Sequence, residues 1–295
     1  MVATLADADS LQPGVTRYEC TLCGGQACRP VAEYPELSWV ECACGLIYKR
    51  WQRSDISDPE FYGENYFTGG VYDVRTRRRI AKSRHQILDA LNHTAPGPLL
   101  DIGCSLGYTL RAARELGLAP AGADVSDFAV RFCNEQGFEA RQGAMDRLPF
   151  EDGRFAIVTM KHVLEHTPEP RRALREVRRV LRPGGVLFVA IPDARYRKAV
   201  RDPSGSRYYL PAVHGVEHFI YYTPATLSLL LQQEGFDAVR VNPALIHRRA
   251  PLQIRALQAL VAPLRGAAQR ALDALALRKE FWLTAVRSDS VAPRS

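Results

Sequence analysis

The sequence predicts an α/β fold, a doubly wound and mostly parallel sheet of seven strands preceded by a small N-terminal cysteine module. Three observations lead to this prediction. From Gly97 onward, short apolar strand patterns alternate with helical patterns. A glycine-rich turn, Gly103 to Gly107, follows the first of these strands. Two close pairs of cysteines lie near the N-terminus.

The regular alternation of strand and helix patterns implies right-handed crossovers, with helices on both faces of the sheet. The run from Gly185 to Ile191 is apolar without alternation, as is typical of a strand covered on both faces. Thr167 and Gly184 are expected to start and stop the helix before that strand. The predicted strands cover 98–102, 119–124, 138–142, 155–160, 185–191, 236–241 and 281–286. The predicted helices cover 77–92, 108–116, 127–136, 168–181 and 224–234.

The patterns divide the chain into four parts. Residues 1–16 are expected to form a flexible tail, 17–52 the cysteine module, 53–76 a linker and 77–295 the main domain. Within the main domain, residues 252–277 carry apolar side chains at helical spacing, which predicts a helical insertion. We interpret it as a peripheral contact with a membrane surface, or as a helix that packs on the core or on a second copy in a homodimer.

The overall composition is that of an ordinary globular protein, with 46% hydrophobic and 24% charged residues. The first residues show no secretory signal and no apolar run is long enough to span a bilayer, so we expect a cytoplasmic protein. The net charge of +7 comes from dispersed arginines and lysines, apart from one cluster within residues 75–79. A dispersed excess is typical of a solvated surface, so no nucleic-acid partner is expected.

Four cysteines near the N-terminus have the spacing of a zinc site. Cys20 and Cys23 form one pair, Cys42 and Cys44 form the other, and a short hairpin-like stretch lies between the pairs. Such pairs can place four thiolates tetrahedrally around Zn²⁺ in a closed, structural site. The second pair is one residue shorter than usual, and Cys28 is an alternative ligand. The alternative interpretation is a set of buried thiols without a metal.

The first strand of the main domain ends in a turn that suits an anionic ligand. Asp101 is followed by Gly103 and Gly107, which let the backbone turn sharply and approach a ligand closely. The next helix begins there, so its free N–H groups and positive dipole end face the site. Asp124 ends the second strand, where a carboxylate can accept hydrogen bonds from both hydroxyls of a ribose. The glycine spacing differs from the G-x-G-x-x-G of nicotinamide enzymes.

Four segments, 99–107, 122–126, 148–158 and 163–192, resemble the class I S-adenosylmethionine-dependent methyltransferase family in the right order. The most telling runs are Leu164-Glu165-His166 and Leu181-Arg182-Pro183-Gly184-Gly185. The cysteine pairs, with residues 44–48, resemble the subgroup with an N-terminal zinc-ribbon-like module, whose members are often found modifying sugars, glycolipids or secondary metabolites. The resemblance implies a Rossmann-like domain that binds S-adenosyl-L-methionine, beside a module that holds Zn²⁺.

The resemblance also implies where the cofactor lies. Asp124 would hold the ribose hydroxyls, and Ser105 stands where the family more often has glycine. Met145 would lie near the adenine, which apolar packing and backbone groups would hold because the family's usual acidic residue is Ala144 here. Tyr66 would close over the cofactor. The implied cofactor-binding residues are Asp101, Gly103, Ser105, Gly107, Asp124, Met145, Lys161 and Tyr66.

The acceptor side is expected to supply a general base, because methylation of a hydroxyl requires removal of its proton. A neutral imidazole titrates near the working pH and suits this task. His218, before the helix that starts at Pro224, is the leading candidate, followed by His214 and then by His162. His218 would otherwise anchor its loop. His166 either packs behind the site or takes part in catalysis.

The predicted function is O-methylation of a sugar or glycan hydroxyl, or of a related small metabolite, by in-line methyl transfer. No metal ligand set is apparent in the main domain, so chemistry without Mg²⁺ is expected. The alternatives are C- or N-methylation of a nucleotide sugar or natural product, and a non-catalytic relic that keeps the fold. The presence of both Asp101 and Asp124 favours an enzyme.

Overall fold

The computed structural model describes residues 15–33, 37–53, 62, 66–67, 76–194, 218–241 and 280–288, which form two sheets and the helices that connect their strands. The strands are β1 (Val15–Arg17), β2 (Cys28–Glu33), β3 (Leu37–Cys42), β4 (Ile47–Arg53), β5 (Leu99–Ile102), β6 (Pro120–Asp124), β7 (Glu139–Gln142), β8 (Phe155–Lys161), β9 (Leu181–Pro192), β10 (Ile220–Tyr221), β11 (Phe236–Val241) and β12 (Glu280–Arg287). The helices are α1 (Thr76–Ala90), α2 (Tyr108–Glu115), α3 (Asp127–Glu135), α4 (Pro170–Val180) and α5 (Pro224–Gln233), with a 3-10 turn at Leu164–His166.

The main sheet has seven strands in the order β11-β12-β9-β8-β5-β6-β7. Parallel pairing joins β9, β8, β5, β6 and β7, whereas β12 is antiparallel to both of its neighbours. The predicted α/β class with a mostly parallel sheet of seven strands is therefore confirmed. Strand β8 and the second half of β9 are buried almost throughout, which explains their uninterrupted apolar sequence.

The strand order reverses at the centre of this sheet. After β5, the chain runs through α2 to β6 and β7 on one side, and then returns to β8 and β9 on the other side. A crevice therefore opens beyond the carboxyl end of β5, where the turn from Gly103 to Gly107 follows. Ligands of doubly wound sheets bind at this point.

The second sheet joins the cysteine module to the segment that precedes α5. Its strands run in the order β1-β4-β3-β2, and β10 also pairs with β4. Ile220 pairs with Tyr48, and Tyr221 pairs with Ile47. The antiparallel pairing of β2 with β3 confirms the hairpin expected between the two cysteine pairs. The module thus shares a sheet with the expected acceptor side of the main domain.

The module also shares the hydrophobic core of the main domain. The buried side chains of Leu22 and Leu46 belong to the same cluster as Leu227 of α5. Arg171 of α4 adds polar contacts, because its Nε donates to the carbonyl of Thr21 at 2.7 Å and its Nη2 to the carbonyl of Leu22 at 3.0 Å. The loop between the first two cysteines is therefore bound directly to the helix that follows the 3-10 turn.

Three boundaries differ from the sequence-based prediction. Helix α4 begins at Pro170 after Glu169, because the 3-10 turn occupies the preceding residues and Thr167 Oγ1 accepts the N–H of Glu169 at 3.0 Å. Gly184 does not end this helix, since Leu181 already starts β9 and Gly184 lies within that strand. Residues 15–16, assigned to the tail, pair with β4.

Several predicted features lie outside the described residues. These are residues 1–14 of the tail, most of the linker, His214 and the segment 252–277 with its possible membrane, core or subunit contacts. Among the described helices, none is long and apolar enough to cross a membrane.

Candidate active site

A cavity of about 960 Å³ lies at the carboxyl ends of β5, β6 and β8. Small-molecule sites range over about 300–1,000 Å³, so this cavity has room for a cofactor together with an acceptor. Gly107 is not part of its wall; its φ of 73° instead lets the chain turn into α2. The predicted site residues that line the cavity are Asp101, Gly103, Ser105, Asp124, Met145, Lys161, His162 and Tyr66.

Asp124, at the end of β6, holds the glycine-rich turn in place. Its carboxylate accepts hydrogen bonds from the backbone N–H of Ser105 at 2.9 Å and from that of Ser126 at 3.0 Å. Burial raises the pKa of Asp124, and these backbone hydrogen bonds act in the opposite direction. A carboxylate at the cavity wall is an acceptor suited to the hydroxyls of a ribose.

Lys161, the last residue of β8, connects the sheet to two helices. Its ammonium donates to Ser83 Oγ of α1 at 2.9 Å and to Thr109 Oγ1 of α2. Burial lowers the pKa of Lys161, and the negative charge of Asp101 opposes that shift. Asp101 is itself buried and accepts a hydrogen bond from Thr159, and burial raises its pKa. These contacts fix the cavity wall between β5 and β8.

Two buried polar groups in the cavity wall have no hydrogen-bond partner among the described residues. They are the hydroxyl of Ser105 and the side-chain amide of Gln86, whose nitrogen and oxygen are both unsatisfied. Such groups are rare because each loses its hydrogen bonds to water on burial. A polar ligand in the cavity would satisfy them, so the residues present fit S-adenosyl-L-methionine. Gln86 was not predicted; its signal is a polar residue beside Ile87 on the core-facing side of α1.

His162 follows β8 and lies between two carboxylates. Its Nε2 is 3.0 Å from Oε2 of Glu280, and its Nδ1 is 3.5 Å from Oε1 of Glu165. Desolvation lowers the pKa of the imidazole, but the two carboxylates outweigh it and raise the pKa to about 9. The ring is therefore protonated at neutral pH, a state that suits stabilisation of charge better than proton abstraction. Its φ of 55° is unusual for a residue other than glycine and typical of functional sites.

His166 lies in the cavity wall, whereas one sequence-based interpretation placed it behind the site. Its Nδ1 is 3.0 Å from the hydroxyl of Tyr62, which also lines the cavity. The ring of Tyr62 packs edge-to-face against Tyr66, with centroids 5.3 Å apart. Tyr62 was not predicted from the sequence. The feature that could have indicated it is its position among the aromatic residues of the linker.

His218 packs against His166 and is not among the residues that line the cavity. The two ring centroids are 4.6 Å apart in a T-shaped arrangement, and Nδ1 of His218 is 3.3 Å from the hydroxyl of Tyr221. The N–H of Phe219 donates to the carbonyl of Glu165 at 2.8 Å, which fixes the segment beside the 3-10 turn. The imidazoles form a pair in which His166 faces the cavity and His218 lies behind it.

The four predicted zinc ligands come together where the loop after β1 meets the turn between β3 and β4. Three of their sulfur–sulfur distances are 3.5 or 3.6 Å, and all four sulfurs lie within 4.8 Å of one another. Zn–S bonds of about 2.3 Å in a tetrahedral site place the sulfurs about 3.8 Å apart, so these thiols fit zinc. Cys28 pairs with Cys42 across β2 and β3 but is not one of the four, and its sulfur is 3.3 Å from the hydroxyl of Tyr48. The converging thiols are Cys20, Cys23, Cys42 and Cys44.

The main domain matches a known protein family. A family described as methyltransferase domain matches residues 72–241, more than half of the chain. Among solved structures, a SAM-dependent methyltransferase from Archaeoglobus fulgidus is similar with a TM-score of 0.51, over 78% of this chain and 100% of that one. The sequence identity is 18%, so this likeness shows the fold alone.

Two curated relatives match shorter stretches. The ubiquinone biosynthesis O-methyltransferase of Bordetella avium is 27% identical over 150 residues, which span 47% of this chain and 61% of that protein. A sterol 4-C-methyltransferase of Caenorhabditis elegans is 26% identical over 147 residues, which span 46% of this chain and 43% of that protein. Each alignment covers less than two thirds of the relative, and the two relatives are named for methylation of different atoms.

Proposed function

The chain belongs to this methyltransferase-domain family, and from that premise we propose that it methylates a hydroxyl group of a small-molecule acceptor with S-adenosyl-L-methionine as donor. The observation that carries the proposal is that Asp124 and the imidazole of His166 line the same cavity. The carboxylate suits the ribose of the cofactor, and the imidazole suits removal of a proton from an acceptor hydroxyl.

The cofactor side is proposed to work by binding and alignment. When bound, S-adenosyl-L-methionine supplies a methyl group on a positively charged sulfur, which needs no further activation. Asp124 would accept hydrogen bonds from the ribose hydroxyls. Ser105 and Gln86 would form with the cofactor the hydrogen bonds that they lack among the described residues. Met145 would pack against the adenine. Tyr66, 39% exposed at the cavity rim, would cover the bound molecule.

The base is proposed to be the pair of His166 and His218, which revises the prediction of His218 as the leading candidate. A general base must lie within hydrogen-bond reach of the proton that it takes, and His166 is the member of the pair that lines the cavity. The hydroxyl of Tyr62 orients His166 through Nδ1. His162 is assigned a different task, since its ring is already protonated at neutral pH. His214 stays a prediction.

The acceptor is proposed to be a sugar or glycan hydroxyl, or a hydroxyl of a related small metabolite. The cavity volume exceeds the needs of the cofactor, and one relative is an O-methyltransferase. The described wall combines aromatic rings with basic side chains from α1, which suits a ring that carries several hydroxyls. These side chains are Tyr62, Tyr66, Phe67, Arg78, Arg79 and Lys82.

The cysteine cluster is proposed to hold one structural Zn²⁺. Four thiolates close the coordination sphere and leave no position for a substrate. The cluster joins the loop after β1 to the turn between β3 and β4, and β4 in turn pairs with β10. The ion would therefore stabilise the sheet that supports the acceptor side.

Calorimetry with S-adenosyl-L-methionine tests the first part of this proposal. Binding in the micromolar range is expected, because Asp124, Ser105 and Gln86 offer polar contacts in a buried cavity. If no heat of binding is measured at high micromolar cofactor, the proposal is wrong and the chain is a non-catalytic relic that keeps the fold.

A panel of acceptors with isotope-labelled cofactor tests the second part. The panel should contain free sugars, nucleotide sugars, phenols and catechols, each with a matched compound that lacks the hydroxyl. We expect label on an oxygen atom of the product, located by mass spectrometry and NMR. Label found only on carbon or nitrogen would refute O-methylation and support the alternative chemistry.

A further inference from the structure

A buried carboxylate next to the cavity takes no part in the function proposed above. Glu165, in the 3-10 turn between β8 and α4, is 1% exposed. Among the described residues, neither of its carboxylate oxygens has a hydrogen-bond partner. A buried carboxylate without direct hydrogen bonds is unfavourable unless positive charge lies close to it. The environment of Glu165 should therefore contain a cation.

Three imidazoles surround this carboxylate. His162 places Nδ1 3.5 Å from Oε1 of Glu165. One nitrogen of His166, one nitrogen of His218 and one carboxylate oxygen of Glu165 lie within 4.8 Å of one another. Burial alone would raise the pKa of Glu165, but His162 and, to a smaller extent, His166 and His218 hold it below its ordinary value. The carboxylate is therefore ionised at neutral pH.

The remaining groups around the cluster do not add a competing free charge. Burial and the charge of Glu165 raise the pKa of Tyr222, whose hydroxyl therefore stays neutral. Glu280 is paired with both His162 and Lys82. The other titratable groups in contact with the cluster are Tyr62 and Tyr221. Arg171 acts on Tyr222 at longer range and is paired with Glu234 at 2.6 Å.

Methylation of a hydroxyl moves a positive charge within the cavity. A C–O bond forms as a C–S bond breaks with its electron pair on sulfur, and the proton of the acceptor passes to an imidazole nitrogen. Positive charge is thus lost at sulfur and gained at the imidazole. Building on the proposed O-methylation, we propose that Glu165 is a positioning residue whose fixed negative charge stabilises the imidazolium formed on the His166–His218 pair.

The main chain of Glu165 supports the same arrangement independently of its charge. Its carbonyl accepts the N–H of Phe219 at 2.8 Å, which places His218 beside His166. A Glu165→Gln substitution preserves this backbone hydrogen bond and the size of the side chain, and it replaces the negative carboxylate with a neutral amide. The effect of charge on the imidazole pair can therefore be separated from the effect of position.

A divalent cation between Glu165, His166 and His218 is the alternative, because two imidazoles and one carboxylate are a common ligand set. The proton-based role is favoured by His162, whose imidazolium already lies against the carboxylate. A role as counter-charge needs no further component, whereas a metal would add a second cation beside the first. The experiment distinguishes the two.

The test compares Glu165→Gln with Glu169→Gln, a control on an exposed carboxylate that pairs with Arg172. Turnover is measured between pH 5.5 and 9 with the acceptor that the wild-type protein methylates, and cofactor affinity is measured by calorimetry. We expect kcat of Glu165→Gln to fall about 100-fold with cofactor Kd within twofold of wild type. The acid limb of its kcat profile should move to lower pH by about one unit, because a nearby negative charge is lost.

The outcomes separate this inference from the proposed function. A wild-type protein that methylates no hydroxyl contradicts the proposed function itself, whatever Glu165 does. Normal turnover and an unchanged pH profile in Glu165→Gln would overturn the role of Glu165 alone. If the wild type holds a second equivalent of metal and Glu165→Gln loses it, the counter-charge proposal is wrong and Glu165 is a metal ligand. If Glu165→Gln does not fold, Glu165→Asp, which keeps the charge, should retain the wild-type acid limb; a shifted limb would contradict the proposal.

Discussion

His162 Nε2 lies 3.0 Å from Oε2 of Glu280, so the residue after β8 is joined to the first residue of β12. The pKa values of the two groups shift in opposite directions. Hydrogen bonding to His162 helps lower the pKa of Glu280 to about 2, while the pKa of His162 rises to about 9. Both partners are charged at neutral pH, and they connect the cavity wall to the strand that is inserted between β9 and β11.

Stability should depend on pH through His162. An imidazole titrates near 6.5 in the unfolded chain and at about 9 in the folded one, so its stabilising contribution is complete below pH 6.5 and is lost as the pH rises through 9. We expect the Tm of the wild type to fall by a few degrees more than that of His162→Gln between pH 6.5 and 9.5. The side chain is 47% exposed, which keeps the effect small.

Differential scanning calorimetry of the ligand-free protein measures this difference. His93→Gln, which removes a partly buried imidazole after α1 and outside the cavity wall, is the control. Parallel curves for the wild type and His162→Gln would mean that the link to Glu280 adds nothing to stability.

Asp124→Asn should weaken binding of S-adenosyl-L-methionine about 10-fold or more. The amide cannot accept the two backbone hydrogen bonds and the ribose hydroxyls as the carboxylate does. Calorimetric Kd values for this variant and for Asp127→Asn, an exposed carboxylate in the first turn of α3, provide the comparison. Equal affinities in the two variants would argue against the role of Asp124.

Gln86→Leu should separate binding from stability. The amide has no partner among the described residues, so its loss should leave the Tm of the ligand-free protein unchanged or slightly higher. Affinity for the cofactor should fall by roughly 10-fold, because one to two hydrogen bonds to the ligand disappear. Gln232→Leu, on the exposed side of α5, is the control. A large drop in Tm without a change in affinity would assign Gln86 to the core instead.

The fold could be predicted well because its signals are local. Apolar periodicity and the glycine-rich turn place β5 and β6 within a residue of their observed bounds. Thr167 misled the prediction of α4, since its hydroxyl accepts a hydrogen bond outside the helix and not within its first turn. Local sequence patterns predict where helices and strands lie, but they do not show which of several neighbouring residues caps a helix.

The acceptor side could be predicted only in part because its contacts are distant in sequence. His218 stands out as a histidine before a helix, yet its neighbour His166 and the tyrosine beside that ring, Tyr62, come from separate segments. His162 and His166 stand beside Glu165 in the sequence, but nothing local shows that His218 joins them at its carboxylate. Such groups become visible only when the fold packs the segment that contains β10 against the 3-10 turn that follows β8.

Zinc content should follow the four converging thiols and not Cys28. We expect about one zinc per chain in the wild type, because four thiolates at these separations match a tetrahedral site. Cys42→Ser should lose the metal, whereas Cys28→Ser should retain it, since that sulfur lies against Tyr48. Elemental analysis of protein purified without added metal gives the ratio. Loss of zinc in Cys28→Ser with retention in Cys42→Ser would show that Cys28 is the ligand and Cys42 is not.

The pairing of Tyr48 with Ile220 has a consequence for any attempt to express or recombine parts of this chain. A shortened version that begins at α1 would leave β10 without its partner and uncover Leu227, and an unpaired strand beside an apolar surface invites aggregation. The module cannot be exchanged for that of another protein as a cassette. Residues near 48 and near 220 are far apart in the sequence, but a recombined protein would have to take both segments from the same parent.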